Sequence, residues 1–459
     1  MLERFAPYVE SRLRNKIVDS DTSHSFISGR LVRRYLDKYR LMKLRNSVKY
    51  SYNNSPFYHE LFKKYALNPN DVKSFEDISK IPFTSSDDLK NPERFFAVPE
   101  TNFVKIFSSS GTTGKPKRIY FTKNDLDRQI SGLTTGMHLL YEMHQVDRVR
   151  LTYDHGYGMD DWGVRYCLEN AIQKLGAIGV ITSSRLPADQ EFQLLTAYNI
   201  SMIMGTPSYL HSLSCNMGKL YDLSSLNIKK IMVGTEPLPK SIRKKLEKIW
   251  NTDVFQGYGL TEMCTSVAGE CKEKDGMHLT ESDFYAEVID PKSGDVLEDE
   301  EVGEIVFTTL SREGMPLIRY RTHDLGLIIS DKCPCGLPFR RIKVKGRTDR
   351  MITIGSGDNI YPNAFDRVLF SIPTVIDYQI ILDRKNDKDH VTAVVETNSI
   401  DDKTKKEIVA AIMKLPEIDN GVRESKTIEK IEIQFVKPHT LDRKSVKARR
   451  VIDNRNLYE

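Results

Sequence analysis

The sequence predicts an α/β protein with a large N-terminal domain on mixed or parallel sheets and a small C-terminal α+β lid domain. Three observations predict this. Hydrophobic residues make up 39% of the 459 residues, which is enough for a sizeable packed core. From about residue 101, short β-like runs alternate with Gly-rich turns and helical stretches. Glycines and a proline cluster at 346–362, where the composition changes.

The elements of the large domain follow in chain order. Residues 1–75 read as helical with loops, and apolar positions between Leu36 and Tyr52 form a helical stripe. A strand at 231–233 precedes Gly234 and a basic helix at 239–250. Later strands, which we expect to be more antiparallel, lie at 285–289 and 304–309.

The C-terminal region reads as a separate β/α unit of roughly 110 residues. We place the domains at 1–348 and 349–459. The predicted elements after this boundary are a helix at 363–371, strands at 376–382 and 391–396, a helix at 402–414 and a strand at 430–436.

Composition excludes several classes of protein. The net charge of +5 is small for this length and does not indicate a nucleic-acid or membrane partner. No apolar run approaches the roughly 20 residues that span a bilayer, and the charged N-terminus lacks a signal-peptide core. We therefore expect a cytoplasmic protein, whose six cysteines do not form a disulfide scaffold. The helical N-terminal region could support a homodimer.

The sharpest local feature is a loop rich in glycine, hydroxyl groups and lysine, which follows the apolar run Phe103–Phe107. Glycines let backbone N–H groups converge, and hydroxyls with lysine charge suit a polyphosphate. The loop differs from the pattern of P-loop NTPases. The alternative is a flexible Ser/Gly linker. The candidate nucleotide-binding residues here are Ser108, Ser109, Ser110, Gly111, Thr112, Thr113, Gly114 and Lys117.

This loop resembles the signature loop of the adenylate-forming superfamily, which includes acyl- and aryl-CoA synthetases, adenylation domains and luciferases. Further motifs of that superfamily occur in the same order, at 234–237, 257–262, 320–324, 346–349 and 447–453. The segments Asn54–Tyr58, Ile81–Thr84 and Phe96–Pro99 resemble the phenylacetate–CoA ligase branch.

The resemblance implies ATP-dependent activation of a carboxylic acid to an acyl-adenylate, with release of pyrophosphate and transfer of the acyl group to coenzyme A. The alternative is a freestanding adenylation enzyme that passes the acyl group to a carrier protein or an amine. A third, non-enzymatic interpretation is a nucleotide-sensing protein built on an inactive ligase.

The resemblance also implies roles for individual residues. Lys447 would be the catalyst of adenylation, Glu262 the Mg²⁺ ligand and Thr261 a donor to the α-phosphate. Asp349 would be the hinge about which the small domain rotates. The remaining nucleotide-binding candidates are Gly234, Glu236, Pro237, Tyr258, Gly259, Asp324 and Arg347.

Two positions depart from the family pattern. Val446 and His323 both stand where the family has glycine. Val446 leaves the conformation of the lysine loop in doubt, with Lys444 as the fallback catalyst, and His323 could crowd the nucleotide or replace a water.

The resemblance places the acyl pocket in the segment 153–162, and the candidates there are Tyr153, His155, Tyr157, Asp160 and Trp162. Their mixed polar and aromatic character suggests an aromatic or heteroaromatic acid that carries an amino or hydroxyl group, since a buried carboxylate needs a partner. The alternative is that the acidic residues cap the next helix or face solvent.

A cysteine pair suggests a second metal. Cys333 and Cys335, with Cys271 and His278 upstream, would complete a tetrahedral structural zinc site. Cys264 is a substitute ligand, and the alternative is a set of reduced, unligated cysteines.

Overall fold

The structure is a computed structural model of the chain. It describes the backbone of residues 29–108, 117–153, 163–181, 186–348, 352–354, 358–386, 388–438, 440–441 and 450–455, with the side chains of 29–32 and 359 excepted.

Contacts between Cα atoms divide the chain into two compact units. The predicted domain boundary at 348/349 stays a prediction. The first unit comprises the described parts of Met1–Val149, His155–Val180 and Phe255–Lys345, and the second those of Arg150–Asp154, Ile181–Val254 and Gly346–Glu459.

The α-helices of the described residues start at prolines or at short polar side chains in several cases, as their N-terminal preferences predict. They are α1 (Gly29–Asn54), α2 (Pro56–Lys64), α3 (Lys123–Tyr141), α4 (Val164–Leu175), α5 (Ala188–Ala197), α6 (Pro207–Met217), α7 (Lys240–Trp250), α8 (Pro362–Leu369), α9 (Asp402–Ile412) and α10 (Pro416–Asp419).

The described residues also form strands of three to eleven residues. They are β1 (Phe103–Ser108), β2 (Arg118–Thr122), β3 (Arg148–Leu151), β4 (Ile178–Ile181), β5 (Met202–Gly205), β6 (Lys230–Val233), β7 (Asp253–Leu260), β8 (Thr265–Glu270), β9 (Met277–Leu279), β10 (Phe284–Ile289), β11 (Gly303–Thr309), β12 (Tyr320–Ile329), β13 (Arg341–Arg347), β14 (Ile352–Ile354), β15 (Asp358–Ile360), β16 (Val375–Lys385), β17 (Lys388–Thr397), β18 (Ile428–Val436) and β19 (Val451–Asp453).

In the first unit, the strands lie in the order β10-β11-β12-β13-β9-β8-β7. The pairs β10–β11, β11–β12, β13–β9, β9–β8 and β8–β7 are antiparallel. The strands at 285–289 and 304–309 are therefore antiparallel, as the sequence predicts. Helix α3 begins with a capping box, in which the side chains of Thr122 and Asp125 each accept a hydrogen bond from the other's backbone N–H.

In the second unit, β5 and β6 pair in parallel, with Gly205 opposite Val233. A four-stranded sheet has the order β18-β17-β16-β19, in which β16–β17 is antiparallel and the two outer pairs are parallel. This mixture of helices with parallel and antiparallel strands confirms the predicted α/β fold. The strand before Gly234, the basic helix after it and all five predicted C-terminal elements are present.

The short strand β19 follows an arginine that is mostly covered by other residues. Arg450 is paired with the carboxylates of Asp366 and Asp377, and its guanidinium lies 4.9 Å from the ring centroids of both Phe370 and Tyr378. Charge pairing and stacking together fix the entry of the chain into β19.

None of the helices in the described part of the chain combines the length and the apolar character that a bilayer crossing requires. Cytoplasmic localisation stays a prediction.

One buried carboxylate organises the packing of α1 in the first unit. Glu281 accepts hydrogen bonds from Arg33 at 2.6 Å and from Arg340 at 3.0 Å, and it lies 3.0 Å from Arg40. Burial raises the pKa of Glu281, but the nearby guanidinium groups outweigh burial and lower that pKa to about 2.

Glu281→Gln should therefore lower the free energy of unfolding by about 3 kcal/mol at neutral pH. A depressed carboxyl pKa stabilises the fold above the unfolded pKa, and that stabilisation disappears as the pH falls through the folded pKa. The difference between wild type and variant should thus shrink between about pH 4.5 and pH 2. Chemical denaturation at several pH values measures it. The exposed Glu407→Gln is the control, and a pH-independent difference for Glu281→Gln would contradict the assignment.

Candidate active site

The predicted phosphate loop connects the two strands of a hairpin. Strands β1 and β2 are antiparallel, with Ser108 opposite Arg118. Lys117 directly precedes β2, while 109–116 lie outside the described residues. The hairpin thus holds the two ends of the loop on adjacent strands of the first unit.

Glu262 lies beside this hairpin at the centre of a polar cluster. Its Oε1 accepts hydrogen bonds from Lys117 Nζ at 2.5 Å and from Tyr320 Oη at 2.8 Å. Lys117 Nζ also donates to Tyr320 Oη at 3.3 Å. Arg312 donates to the backbone carbonyl of Glu262. We call Lys117, Glu262, Arg312 and Tyr320 the Glu262 cluster.

The Glu262 cluster holds a charged group out of water. The side chain of Glu262 is buried. Burial raises its pKa, but the charge of Lys117 and the hydrogen bonds from Lys117 and Tyr320 outweigh burial and hold the pKa below its usual value. Glu262 is therefore an anion at neutral pH.

The backbone before Glu262 turns sharply. Strand β7 ends at Leu260, and Thr261 and Glu262 lie in a short 3₁₀ turn, Thr261–Met263. A Cβ atom on Gly259 would lie 1.6 Å from the carbonyl oxygen of Thr265. Only glycine therefore permits this approach of β7 to β8, which explains the residue type at a position that the sequence singles out.

A second pair of predicted nucleotide-binding residues also meets in the first unit. Tyr258 Oη donates to Asp324 Oδ2 at 2.5 Å, although the two residues are 66 positions apart. Asp324 is buried on β12, and its backbone N–H donates to Thr322 Oγ1 at 3.0 Å. The pair presents an aromatic ring beside a carboxylate.

His323 has a left-handed backbone, with φ of 63°. Glycine takes this conformation without steric cost, which explains why the family has glycine at this position. The backbone N–H of His323 donates to Glu304 Oε1 at 3.0 Å, and its Nδ1 lies 3.5 Å from the same oxygen. The carboxylate of Glu304 thus offsets some of the strain at this position.

Other predicted residues belong to the second unit. Gly234 donates its N–H to the carbonyl of Gly205 at 3.2 Å, and Tyr153 Oη donates to the same carbonyl at 2.7 Å. Glu236 Oε2 accepts from the N–H of Ser208, in the first turn of α6, at 3.2 Å. Pro237 directly follows Glu236 in the chain, and Arg347 ends β13.

Twelve predicted site residues lie outside the described part of the chain, so their roles stay predictions. They are Ser109, Ser110, Gly111, Thr112, Thr113, Gly114, His155, Tyr157, Asp160, Trp162, Asp349 and Lys447.

Two members of the Glu262 cluster were not predicted as site residues from the sequence. Tyr320 is the first residue of the motif at 320–324, and this motif could have indicated it as a site residue. Arg312 lies in no recognised motif, and its guanidinium, 4.9 Å from the ring centroid of Phe121, is buried. Nothing in the local sequence indicates that it reaches Glu262.

The four predicted zinc ligands are close together. One ligand atom from each of Cys271, His278, Cys333 and Cys335 lies within 4.8 Å of all the others. This group belongs to the first unit and shares no residue with the Glu262 cluster.

The fold is that of the adenylate-forming CoA ligases. A solved structure of 2-hydroxyisobutyryl-CoA ligase with 2-HIB-AMP in the postadenylation state is similar to this chain with a TM-score of 0.76 at 22% identity, covering 91% of this chain and 90% of that one.

The chain belongs to the family of AMP-binding enzymes, which matches residues 46–311, and the AMP-binding enzyme C-terminal domain matches 357–455. The phenylacetate-coenzyme A ligase of Pseudomonas putida is 33% identical over 83% of this chain and 87% of its own length. That of Aromatoleum evansii is 34% identical over 78% of this chain and 81% of its own length.

Tyr320→Phe should lower the free energy of unfolding by about 1.5–3 kcal/mol, because it removes a hydrogen bond to an ionised, buried carboxylate. Tyr50→Phe is the matched control. Tyr50 Oη donates to the neutral backbone carbonyl of Glu313 at 2.8 Å, so its loss should cost about 0.5–1.5 kcal/mol. Urea denaturation of both variants measures the two costs. A smaller cost for Tyr320→Phe than for Tyr50→Phe would show that Glu262 is not held as an anion.

Proposed function

We propose that this protein is an AMP-forming acid–CoA ligase. A carboxylate oxygen of the acid attacks the α-phosphorus of ATP, and the bond to pyrophosphate breaks. The thiolate of coenzyme A then attacks the acyl carbon, AMP leaves, and the proton of the thiol passes to solvent. The first step is needed because an acid has no good leaving group for thiolysis, whereas AMP is one.

The Glu262 cluster is the observation that carries this proposal. An ionised carboxylate, a lysine and a tyrosine hydroxyl meet beside the hairpin whose loop is rich in hydroxyls and glycine, in a chain of the AMP-binding family. Such a set of fixed charges and donors stabilises charge that develops on a phosphoryl group.

Lys117 and the hairpin loop would bind the phosphates of ATP. A lysine is a compact charge on a flexible stem, so Lys117 can move from Glu262 to an incoming phosphate oxygen. Thr261, next to Glu262, would donate its hydroxyl to the α-phosphate.

Tyr258 and Asp324 would bind the nucleoside. The ring of Tyr258 offers a flat face for adenine, and the carboxylate of Asp324 can accept hydrogen bonds from both ribose hydroxyls. The 2.5 Å hydrogen bond between them orients each residue for that task.

Magnesium fits the donor set of this site. Glu262 supplies an ionised carboxylate, the hard oxygen ligand that Mg²⁺ takes. When bound, the ion would offset charge on the phosphate oxygens. In this structure the ammonium group of Lys117 is paired with Glu262 Oε1. When Mg²⁺ binds, Lys117 would therefore have to share this oxygen with the ion or move away from it.

The substrate would be an aromatic or heteroaromatic carboxylic acid. Relatives at about 33% identity over most of the chain are phenylacetate-coenzyme A ligases, which supports an aryl group. The polar residues that we expect at 153–162 support an added amino or hydroxyl group.

Three further predictions complete the proposal. Coenzyme A is the favoured acceptor, with a carrier protein or an amine as the alternative. The protein could act as a homodimer. Zinc would be structural and separate from the reaction, since Cys271, His278, Cys333 and Cys335 lie outside the Glu262 cluster.

A panel of acids tests the proposed reaction. Phenylacetate, benzoate, their amino and hydroxy derivatives and a short aliphatic acid are each scored by pyrophosphate release with ATP and Mg²⁺. We expect aromatic acids to give the highest kcat/KM. Mass analysis of the products with coenzyme A, and separately with a carrier protein, identifies the acceptor. Nucleotide binding without pyrophosphate release on any acid would support the nucleotide-sensing alternative.

Lys447→Ala should slow adenylate formation by at least about 100-fold, the scale for removing one electrostatic stabiliser. The same variant should spare thioester formation from preformed acyl-AMP, because only the first half-reaction places this ammonium at the α-phosphate. Single-turnover assays of each half-reaction measure the two effects. Lys444→Ala is the control, and an equal loss in both half-reactions of Lys447→Ala would contradict its role.

A further inference from the structure

We propose that Cys271, His278, Cys333 and Cys335 form a structural site for one zinc ion. The four side chains come from three separate stretches of the first unit and play no part in the reaction proposed above. Their convergence calls for a physical reason, because three thiols and an imidazole form only weak hydrogen bonds with one another.

The distances in the cluster suit a tetrahedral metal site. Cys271 Sγ lies 3.6 Å from Cys333 Sγ, and Cys335 Sγ lies 3.2 Å from His278 Nε2. Zn–S bonds of about 2.3 Å and Zn–N bonds of about 2.0 Å in tetrahedral geometry put neighbouring ligand atoms roughly 3.5–3.8 Å apart. Small adjustments of side-chain torsions would therefore complete the coordination.

The histidine is oriented as a ligand. His278 Nδ1 lies 3.0 Å from the backbone carbonyl oxygen of Phe339. A carbonyl oxygen can only accept, so Nδ1 carries the proton of this hydrogen bond and the neutral ring presents the lone pair of Nε2 to the cysteines. Zinc-binding histidines in proteins have this outer hydrogen bond.

The backbone already holds the cysteines in two tight turns. In one turn, Lys274 donates its N–H to the carbonyl of Cys271 at 3.0 Å. In the other, Gly336, with φ of +87°, donates to the carbonyl of Cys333 at 3.1 Å. Pairing of β9 with β13 sets His278 opposite Arg341, and the His278 ring lies within 4.8 Å of the cysteine sulfur atoms. The sheet and turns thus form most of the site before the ion binds.

The ligand set indicates both the metal and its role. Thiolates and imidazole favour zinc over magnesium or calcium, which prefer oxygen. Four protein ligands leave no open position for water or substrate, and Cys271, His278 and Cys333 are buried. The ion would therefore tie the turn after β8 to the turn after β12 and stabilise the first unit.

Metal analysis of the full-length, tag-free protein tests this proposal. Protein expressed in zinc-supplemented medium should contain about one zinc per chain by inductively coupled plasma mass spectrometry. Cys335→Ser should reduce the zinc content at least about five-fold. Cys215→Ser, a cysteine of α6 in the second unit, is the matched control and should retain it.

A second measurement needs no variant. Protein refolded or expressed with Co²⁺ should show the thiolate-to-cobalt charge-transfer bands and the intense visible bands of tetrahedral cobalt. A chelator should lower the melting temperature of the wild type and leave that of Cys335→Ser unchanged. Chelator-treated protein should keep its rate of pyrophosphate release at low temperature, since a structural ion does not touch the substrate.

Several outcomes would overturn the proposal. They are a zinc content below about 0.2 per chain, iron in place of zinc, a cobalt spectrum without thiolate bands, and a Cys271–Cys333 disulfide in the intact mass of non-reduced protein. Loss of pyrophosphate release in direct proportion to zinc, at a temperature where the apoprotein stays folded, would contradict the structural role. The zinc content, the cobalt spectrum and the intact mass do not depend on whether the ligase assignment holds, and only the pyrophosphate readout does.

Discussion

Cations packed beside carboxylates allow this protein to bury negative charge. Removing one partner of such a pair leaves an uncompensated charge out of water, at a cost of several kcal/mol. The elements that carry the two partners are therefore fixed with respect to each other within each unit. Pairs of this kind with arginine are Glu281 with Arg33 and Arg340, Glu287 with Arg319, Glu191 with Arg150, and Asp389 with Arg455.

Glu262 differs from those carboxylates because its cation is a lysine. Arginine forms rigid, two-pronged pairs such as that of Arg150 with Glu191, in which both side chains are fully buried. Lys117 makes a single-point contact, and 21% of its side chain is exposed. The arginine pairs fix two side chains rigidly, whereas the flexible stem of a lysine lets its ammonium group turn to another acceptor.

Periodic segments of the sequence predicted the secondary-structure elements well. Contacts between residues far apart in the chain could not be predicted from the sequence. The alternation at 231–250 and the C-terminal elements at 363–436 carry local patterns, so their types and approximate bounds were predictable. The Glu262 cluster combines residues far apart in sequence: Tyr320 is 58 positions from Glu262, and Arg312 is 50. Motif order predicted Glu262 as a site residue, but only the packed fold shows which side chains surround it.

The anchoring of Arg450 has a consequence for the chain just before it. Arg450 is paired with Asp366 and Asp377. Lys447 precedes Arg450 by three residues, and the length of a fully extended chain limits the distance between their Cα atoms to about 11 Å. Each residue inserted between positions 447 and 450 would raise this limit by about 3.5 Å, so the number of residues between them sets how far from Arg450 position 447 can lie.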